Sequence, residues 1–111
     1  MSHQPEEDFS AKTNVEAPLM VIRMQIRISH SHSLKEKRKV IKSLKERLHH
    51  RFNLSVAEVG DVEKWQTALV LAVMVSSDYQ YLNEQVSKIR SFVDEQLLGA
   101  ADLLQFQTDI L

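Results

Sequence analysis

Five basic residues in one stretch of the chain recur at spacings of three and four: Lys35, Arg38, Lys42, Lys45 and His49. On a helix, at about 100° per residue, they share a strip roughly 80° wide and span about 21 Å of axis. A cationic row of that length can follow several phosphates, so polyanion binding is the chemistry it suggests. An ordinary solvated helix face is the competing explanation, and two details weigh against it. Lys35, Lys37 and Arg38 fall in the first turn and a half, where the positive end of the helix dipole disfavours cations by about 0.3–1 kcal/mol each. The same terminus carries the hydroxyls of Ser31 and Ser33 beside unpaired backbone N–H groups, a combination suited to a phosphate. Lys37 also falls inside the apolar stripe of this helix. Its stem is expected along the core edge, with the ammonium aimed at a ligand beyond the end of the sheet.

Arg23 and Arg27, just upstream, are expected to extend this phosphate-binding set. His30 and His32 form a His-x-His pair that can supply two metal ligands, but a stable site needs a third or fourth. The chain has no cysteine, and His49 and His50 lie some four helical turns away. No metal site is therefore assigned, and the pair is expected beside a phosphate or simply in solvent. Trp65 is a candidate recognition aromatic, although packing over the sheet edge is the expectation for it.

Enzyme templates fit poorly. Two glycines in the whole chain are too few for a phosphate loop or a dinucleotide fingerprint. There is no Gly-x-Ser-x-Gly elbow. Phosphate-ester or acyl-phosphate chemistry at the Ser33 segment is the remaining enzymatic alternative, and no catalytic residue or cofactor is assigned.

These residues need elements to position them. From Leu19, Ile22, Met24, Ile26 and Ile28 alternate with Arg23, Gln25 and Arg27, the period of a half-buried strand. Ser33 and Glu36 have capping-box spacing, and Leu34, Val40, Ile41, Leu44, Leu48 and Phe52 then recur with helical period up to Asn53, a left-handed stop. Leu54 to Val59 reads as a second strand ended by Gly60-Asp61. Thr67 to Val75 is a third, apolar on both faces and so expected to be central and covered on two sides. Ser77 and Gln80 repeat the capping-box spacing before a second helix through Leu82, Val86, Ile89, Val93 and Leu97, which stops at Gly99. Leu104, Phe106, Thr108 and Ile110 mark a fourth strand.

The order β-α-β-β-α-β, with right-handed crossovers, predicts an α+β ferredoxin-like two-layer sandwich: a four-stranded antiparallel sheet with two helices on one face. Residues 1–18 are expected to be a flexible acidic tail, and 19–111 a single domain. The open sheet face would combine Arg23 and Arg27 with one apolar set of the third strand, which suggests a homodimer through that face. Strands one and three carry no aromatic, so RNA binding by stacking bases on the central strands is not expected.

The 111 residues suit one domain, and 43% hydrophobic with 26% charged residues is an ordinary globular composition. No apolar run approaches the roughly 18 residues needed to span a bilayer, and no secretory leader is recognised, so a cytoplasmic, non-membrane protein is expected. The net charge of −1 hides a strong asymmetry: residues 23–51 hold ten Lys/Arg and two acids, the remainder four bases and thirteen acids.

The run Ser29-His30-Ser31-His32-Ser33-Leu34-Lys35-Glu36-Lys37-Arg38-Lys39-Val40-Ile41-Lys42-Ser43-Leu44, then Arg51-Phe52-Asn53-Leu54-Ser55-Val56-Ala57-Glu58-Val59-Gly60-Asp61 and Trp65-Gln66, closely resembles the YlxP-like family of small bacterial proteins. The resemblance covers about residues 20–98 and implies a ferredoxin-like sandwich. It carries no established catalytic residue. The family is one of unknown function whose genes often neighbour those for translation initiation and ribosome-binding factors. RNA or a ribosomal particle, held by phosphate contacts to the basic helix, is the expected partner; a protein-interaction module docking an acidic partner is the alternative.

Overall fold

In the computed structural model, which describes residues 18–111, the chain runs β1 (Leu19–Arg27), α1 (Leu34–Phe52), β2 (Ser55–Gly60), β3 (Thr67–Val75), α2 (Tyr79–Leu97) and β4 (Asp102–Ile110). The expected acidic tail lies outside the described residues apart from Pro18. That residue belongs to the fold: it is buried, and its carbonyl accepts the Ser76 N–H at 3.4 Å.

The sheet order is β2-β3-β1-β4 with every pair antiparallel, the α+β ferredoxin-like arrangement. Alternation along β1 buries Met20, Ile22, Met24 and Ile26, and Ile28 just past its end is buried as well. Ala68, Val70, Ala72 and Met74 of β3 stand beside them, and Ile41, Leu44, Leu48, Leu82, Ile89, Val93 and Leu97 close the core from the helices. Burying a side chain of this size stabilises the fold by roughly 1.5–3 kcal/mol, and it is this shared apolar layer that fixes both helices to one face.

Local signals set the ends of the elements. Ser33 caps α1 by accepting the Glu36 N–H at 3.2 Å. The reciprocal half of the box differs from expectation, because the Glu36 carboxylate accepts the N–H of His32, at 2.6 Å, rather than that of Ser33. Asn53 ends the helix at φ 56°, ψ 41°. On α2 the cap is Asp78 and not Ser77: its carboxylate accepts the Gln80 and Tyr81 N–H groups at 2.9 and 3.4 Å. A charged acceptor at the positive end of the helix dipole outcompetes a neighbouring hydroxyl. Gly60 follows a bulge in β2, where a Cβ would lie 2.7 Å from Leu69 Cδ1. A larger residue there would have to displace the Leu69 side chain.

β3 is central, as expected, but the described residues cover only one of its faces. Leu69, Leu71 and Val73 are half-buried on the open side and Val75 is exposed.

Candidate nucleic-acid interface

The two charged sets expected to act together sit on opposite sides of the sheet. Arg23 and Arg27 project from the open face, where Arg23 pairs with Asp109 at 2.7 Å and Arg27 with Asp102 at 3.3 Å. Register explains these pairs: Arg27 lies directly opposite Asp102, and Arg23 faces Gln107, one same-face step from Asp109. Helix α1 packs on the other face. A phosphate on the helix cannot reach these arginines, and the set divides accordingly.

On α1 the ridge is present. Lys35, Arg38, Lys42 and His49 are exposed and Lys45 is half-buried. Among the described residues none of the four Lys/Arg side chains has an ion-pair partner. The ridge borders edge strand β2 rather than open solvent on every side. A groove of about 420 Å³ is lined by Arg38, Ile41, Lys42, Lys45, Glu46 and Glu58. It is followed along the helix by one of about 300 Å³ whose walls include Lys45, His49, His50 and Ser55. His49 Nδ1 lies 3.0 Å from the Leu54 carbonyl. A carbonyl only accepts, so Nδ1 carries the proton and Nε2 remains available. On the other flank of α1, Arg47 bonds Gln96 and Arg51 lies over the rings of Phe52 and Phe92 at 5.9 and 5.6 Å, whereas the exposed Lys39 has no ion-pair partner among the described residues.

Lys37 overturns one expectation. Its stem does lie in the apolar stripe, but the side chain is 0% exposed and its ammonium is turned inward. Nζ donates to the carbonyls of Asp61 at 2.6 Å and Thr67 at 3.0 Å, approaches that of Val62 at 3.4 Å, and pairs with Glu58 Oε2 at 2.7 Å. With hydrogen bonds to three loop carbonyls and Glu58 beside it as counter-charge, it is a staple between α1 and the β2–β3 connection and not a ligand contact. The sequence carries a signal for this that its one-helix reading misses. Glu58 follows Val56 on the inward-facing set of β2, and Lys37 occupies an apolar position of α1. Opposite charges misplaced on two faces that must pack together are expected to find each other.

The helix terminus is likewise occupied from within. Ser31 is buried and its hydroxyl donates to the Ser33 carbonyl at 2.9 Å. Ser33 Oγ holds Glu36 N–H, and the Glu36 carboxylate stands on the His32 N–H. The protein's own carboxylate thus takes the anion position assigned to a phosphate, and neither serine is placed as a nucleophile. His30 and His32 are exposed, and no cluster of three metal-ligating side chains occurs among the described residues.

Trp65 also departs from expectation: it does not pack over the sheet edge but is 55% exposed. It lies in the connection at 61–66, where Asp61 adopts φ 60° and its carbonyl accepts the Lys64 N–H at 3.0 Å. The Lys64 ammonium, 3.2 Å from the Asp61 carboxylate, holds that carboxyl below its ordinary value of 3.8, against the desolvation that would raise it.

A family model described as a protein of unknown function, DUF503, matches residues 19–107. The chain belongs to this family. A relative within reach of the DUF503 chain is the uncharacterized protein YlxP of Bacillus subtilis (strain 168), 34% identical over 62 residues that cover 56% of this chain and 67% of that one. Among solved structures, the de novo designed protein Foldit4 aligns over 85% of the DUF503 chain and 97% of its own, at 13% identity and a TM-score of 0.49. No helix among the described residues is long and apolar enough to cross a membrane.

Proposed function

We propose that this DUF503 protein binds RNA, free or on the surface of a ribosomal particle, through the exposed cationic ridge of α1. The observation that carries the reading is the contrast between the two faces. The arginines of the sheet are neutralised by Asp102 and Asp109, whereas Lys35, Arg38, Lys42 and Lys45 stand in a row without an acidic partner among the described residues. Stability alone gives no reason to keep Lys35 and Arg38 at the positive end of a helix dipole. A bound polyanion does.

Four phosphate contacts imply a slope of log affinity against log salt of about −2.8 for a single strand and −3.6 for a duplex. Raising salt from about 50 to 200 mM should therefore weaken binding roughly 50- to 150-fold. Reversing Lys35, Arg38 and Lys42 to glutamate should abolish it while leaving the fold intact. A salt-insensitive interaction, or none with RNA or ribosomes at low salt, refutes the reading.

The open sheet face supports a second and independent association, a homodimer. Leu69, Leu71 and Val73 form an apolar column next to Val59, which is 59% exposed. The ion pairs beside the column leave no unmatched charge to bury. Three nine-residue strands about 30 Å long and the six-residue β2 of about 20 Å, spaced about 4.8 Å apart, present roughly 500 Å² in projection. That area lies at the small end for a specific interface, which predicts a weak, concentration-dependent dimer. Sedimentation equilibrium should show it, and Leu71→Glu should return it to monomer. A wild-type protein monomeric at several hundred micromolar excludes it.

A further inference from the structure

Trp65 is the single tryptophan of the chain and stands 55% exposed on a loop that the structure immobilises from two directions. From below, the buried Lys37 ammonium holds the carbonyls of Asp61 and Thr67, which bracket the loop, and that of Val62 within it, with Glu58 beside it as counter-charge. From the side, the next residue, Gln66, stitches the loop to the segment before α1. Its carbonyl accepts the Ile28 N–H at 2.7 Å, and its side-chain amide donates to the carbonyls of Ser29 and Ser31 at 3.4 and 3.3 Å. These bonds hold a loop on which about half of the Trp65 surface faces water.

The stitched segment presents His30 and His32, both exposed, and leads directly into Lys35, the first cation of the ridge. Within the loop itself Lys64 is paired with Asp61 and Glu63 is exposed, so the uncompensated positive charge lies on the ridge side of the indole. A flat π surface fixed on a held loop whose anchoring segment runs into a cationic helix suits an unpaired nucleobase, whose face stacks on the ring while its backbone continues onto the ridge. The support matters energetically because a preordered side chain loses little freedom on binding. The sheet of this fold carries no aromatic on its central strands, so the loop provides what the sheet lacks.

We infer that Trp65 is the base-stacking residue of this protein, and that single-stranded RNA enters with an unpaired base on the indole and its backbone leading onto the α1 ridge. The inference rests on the RNA-binding reading of that ridge and specifies its substrate as single-stranded rather than duplex. Stacking of one base on an aromatic side chain contributes roughly five- to a hundredfold in affinity.

The test uses the full chain, a ten-nucleotide oligouridylate, an abasic oligonucleotide of the same length, and a ten-base-pair RNA duplex. With only one tryptophan, intrinsic fluorescence reports this site alone. The oligouridylate should quench it saturably and the abasic strand should not. Trp65→Ala should weaken oligouridylate binding at least about fivefold without changing its salt slope, and Trp65→Phe should retain most of the affinity. Trp65→Phe should unfold close to the wild-type urea midpoint; Trp65→Ala, which gives up the nearly half of the residue that is covered, should unfold at a somewhat lower midpoint but remain folded under the binding conditions. Oligouridylate bound with unchanged fluorescence, and equally by Trp65→Ala, overturns the stacking role while leaving the ridge reading in place. Equal quenching by the abasic strand, or tighter binding of the duplex, also overturns it. No binding of any probe by folded wild-type protein removes both. A nuclease-resistant protein complex lost in Trp65→Ala would overturn it in favour of a protein partner.

Discussion

Replacing Lys37 with methionine tests how the loops at this end of the sheet are held. The stem can still fill the apolar stripe, but the ammonium is lost: three carbonyls lose their shared donor and Glu58 its counter-charge. Glu58, whose side chain is 15% exposed, is left as a carboxylate with no counter-charge, and the carbonyls of Asp61 and Thr67 lose bonds of 2.6 and 3.0 Å. Removing one partner of a buried pair costs about 3–5 kcal/mol, and each buried carbonyl without a donor adds roughly 1–3 kcal/mol unless water reaches it. A loss near 4 kcal/mol is expected against a total stability of about 5–15 kcal/mol for a domain of this kind. With a urea m-value near 1 kcal/mol/M, the unfolding midpoint should fall by roughly 4 M.

Lys37→Met/Glu58→Leu removes the orphaned carboxylate and should recover part of the loss. It should not recover all of it, because the loop carbonyls remain without a donor. Urea unfolding followed by circular dichroism measures both variants. A single mutant within about 1 kcal/mol of wild type would mean that water replaces the ammonium at little cost. It would refute the staple and, with it, the rigidity invoked for the Trp65 loop. A Lys37 variant that keeps its stability but loses RNA affinity would restore the ligand role that the geometry denies it.

Asn53 at φ 56°, ψ 41° predicts that Asn53→Ala destabilises by about 1–2 kcal/mol through left-handed strain, while Asn53→Gly is neutral or slightly stabilising, both read by thermal unfolding. The Asp61 carboxyl is held below its ordinary value of 3.8 chiefly by Lys64. Its contribution to stability is therefore fully present above pH about 4 and is lost as pH falls through the lower folded value. Carbon NMR titration should show the Asp61 pKa rising in Lys64→Met, and an unchanged value would remove the pair as its cause. At the helix terminus, Glu36→Gln weakens the acceptor on the His32 N–H. It should cost about 0.5–1 kcal/mol while opening the terminus to anions, seen as phosphate-dependent chemical shifts at His32.

The order of elements, the strand faces and the Asn53 stop were legible because each rests on local periodicity or on one residue's backbone preference. The inward set of β1 is simply every second residue from Met20 to Ile26, and Ile28 just past its end keeps the period. What escaped depends on which elements meet. Helical periodicity puts Lys37 in the stripe, but its partners come from β2 and the 61–67 segment, 21 to 30 residues later. The neutral pairs Arg23–Asp109 and Arg27–Asp102 join residues 86 and 75 positions apart. Only the register of β1 with β4 brings them together. The mistaken second cap had a local cause: Ser77 and Gln80 have the expected spacing, but Asp78 stands one residue closer to the helix with a stronger acceptor.

Charge separation across the sheet makes the two proposed associations compatible. If the cations of β1 were unpaired, a dimer through the open face would bury four like charges, and RNA would compete for the same surface. Asp102 and Asp109, supplied by β4, neutralise that face and leave the uncompensated charge on the opposite side, on α1. A dimer built on the Leu69, Leu71 and Val73 column would then carry two outward-facing ridges and two Trp65 loops on one assembly. Dimer formation should raise the apparent affinity for an RNA long enough to reach both sites, through effective concentration, and leave that for a ten-nucleotide strand unchanged. Leu71→Glu separates the contributions. It should lower affinity only for the long RNA, whereas an equal loss for both lengths would place the open face in direct contact with RNA and refute the division of labour between the two sides.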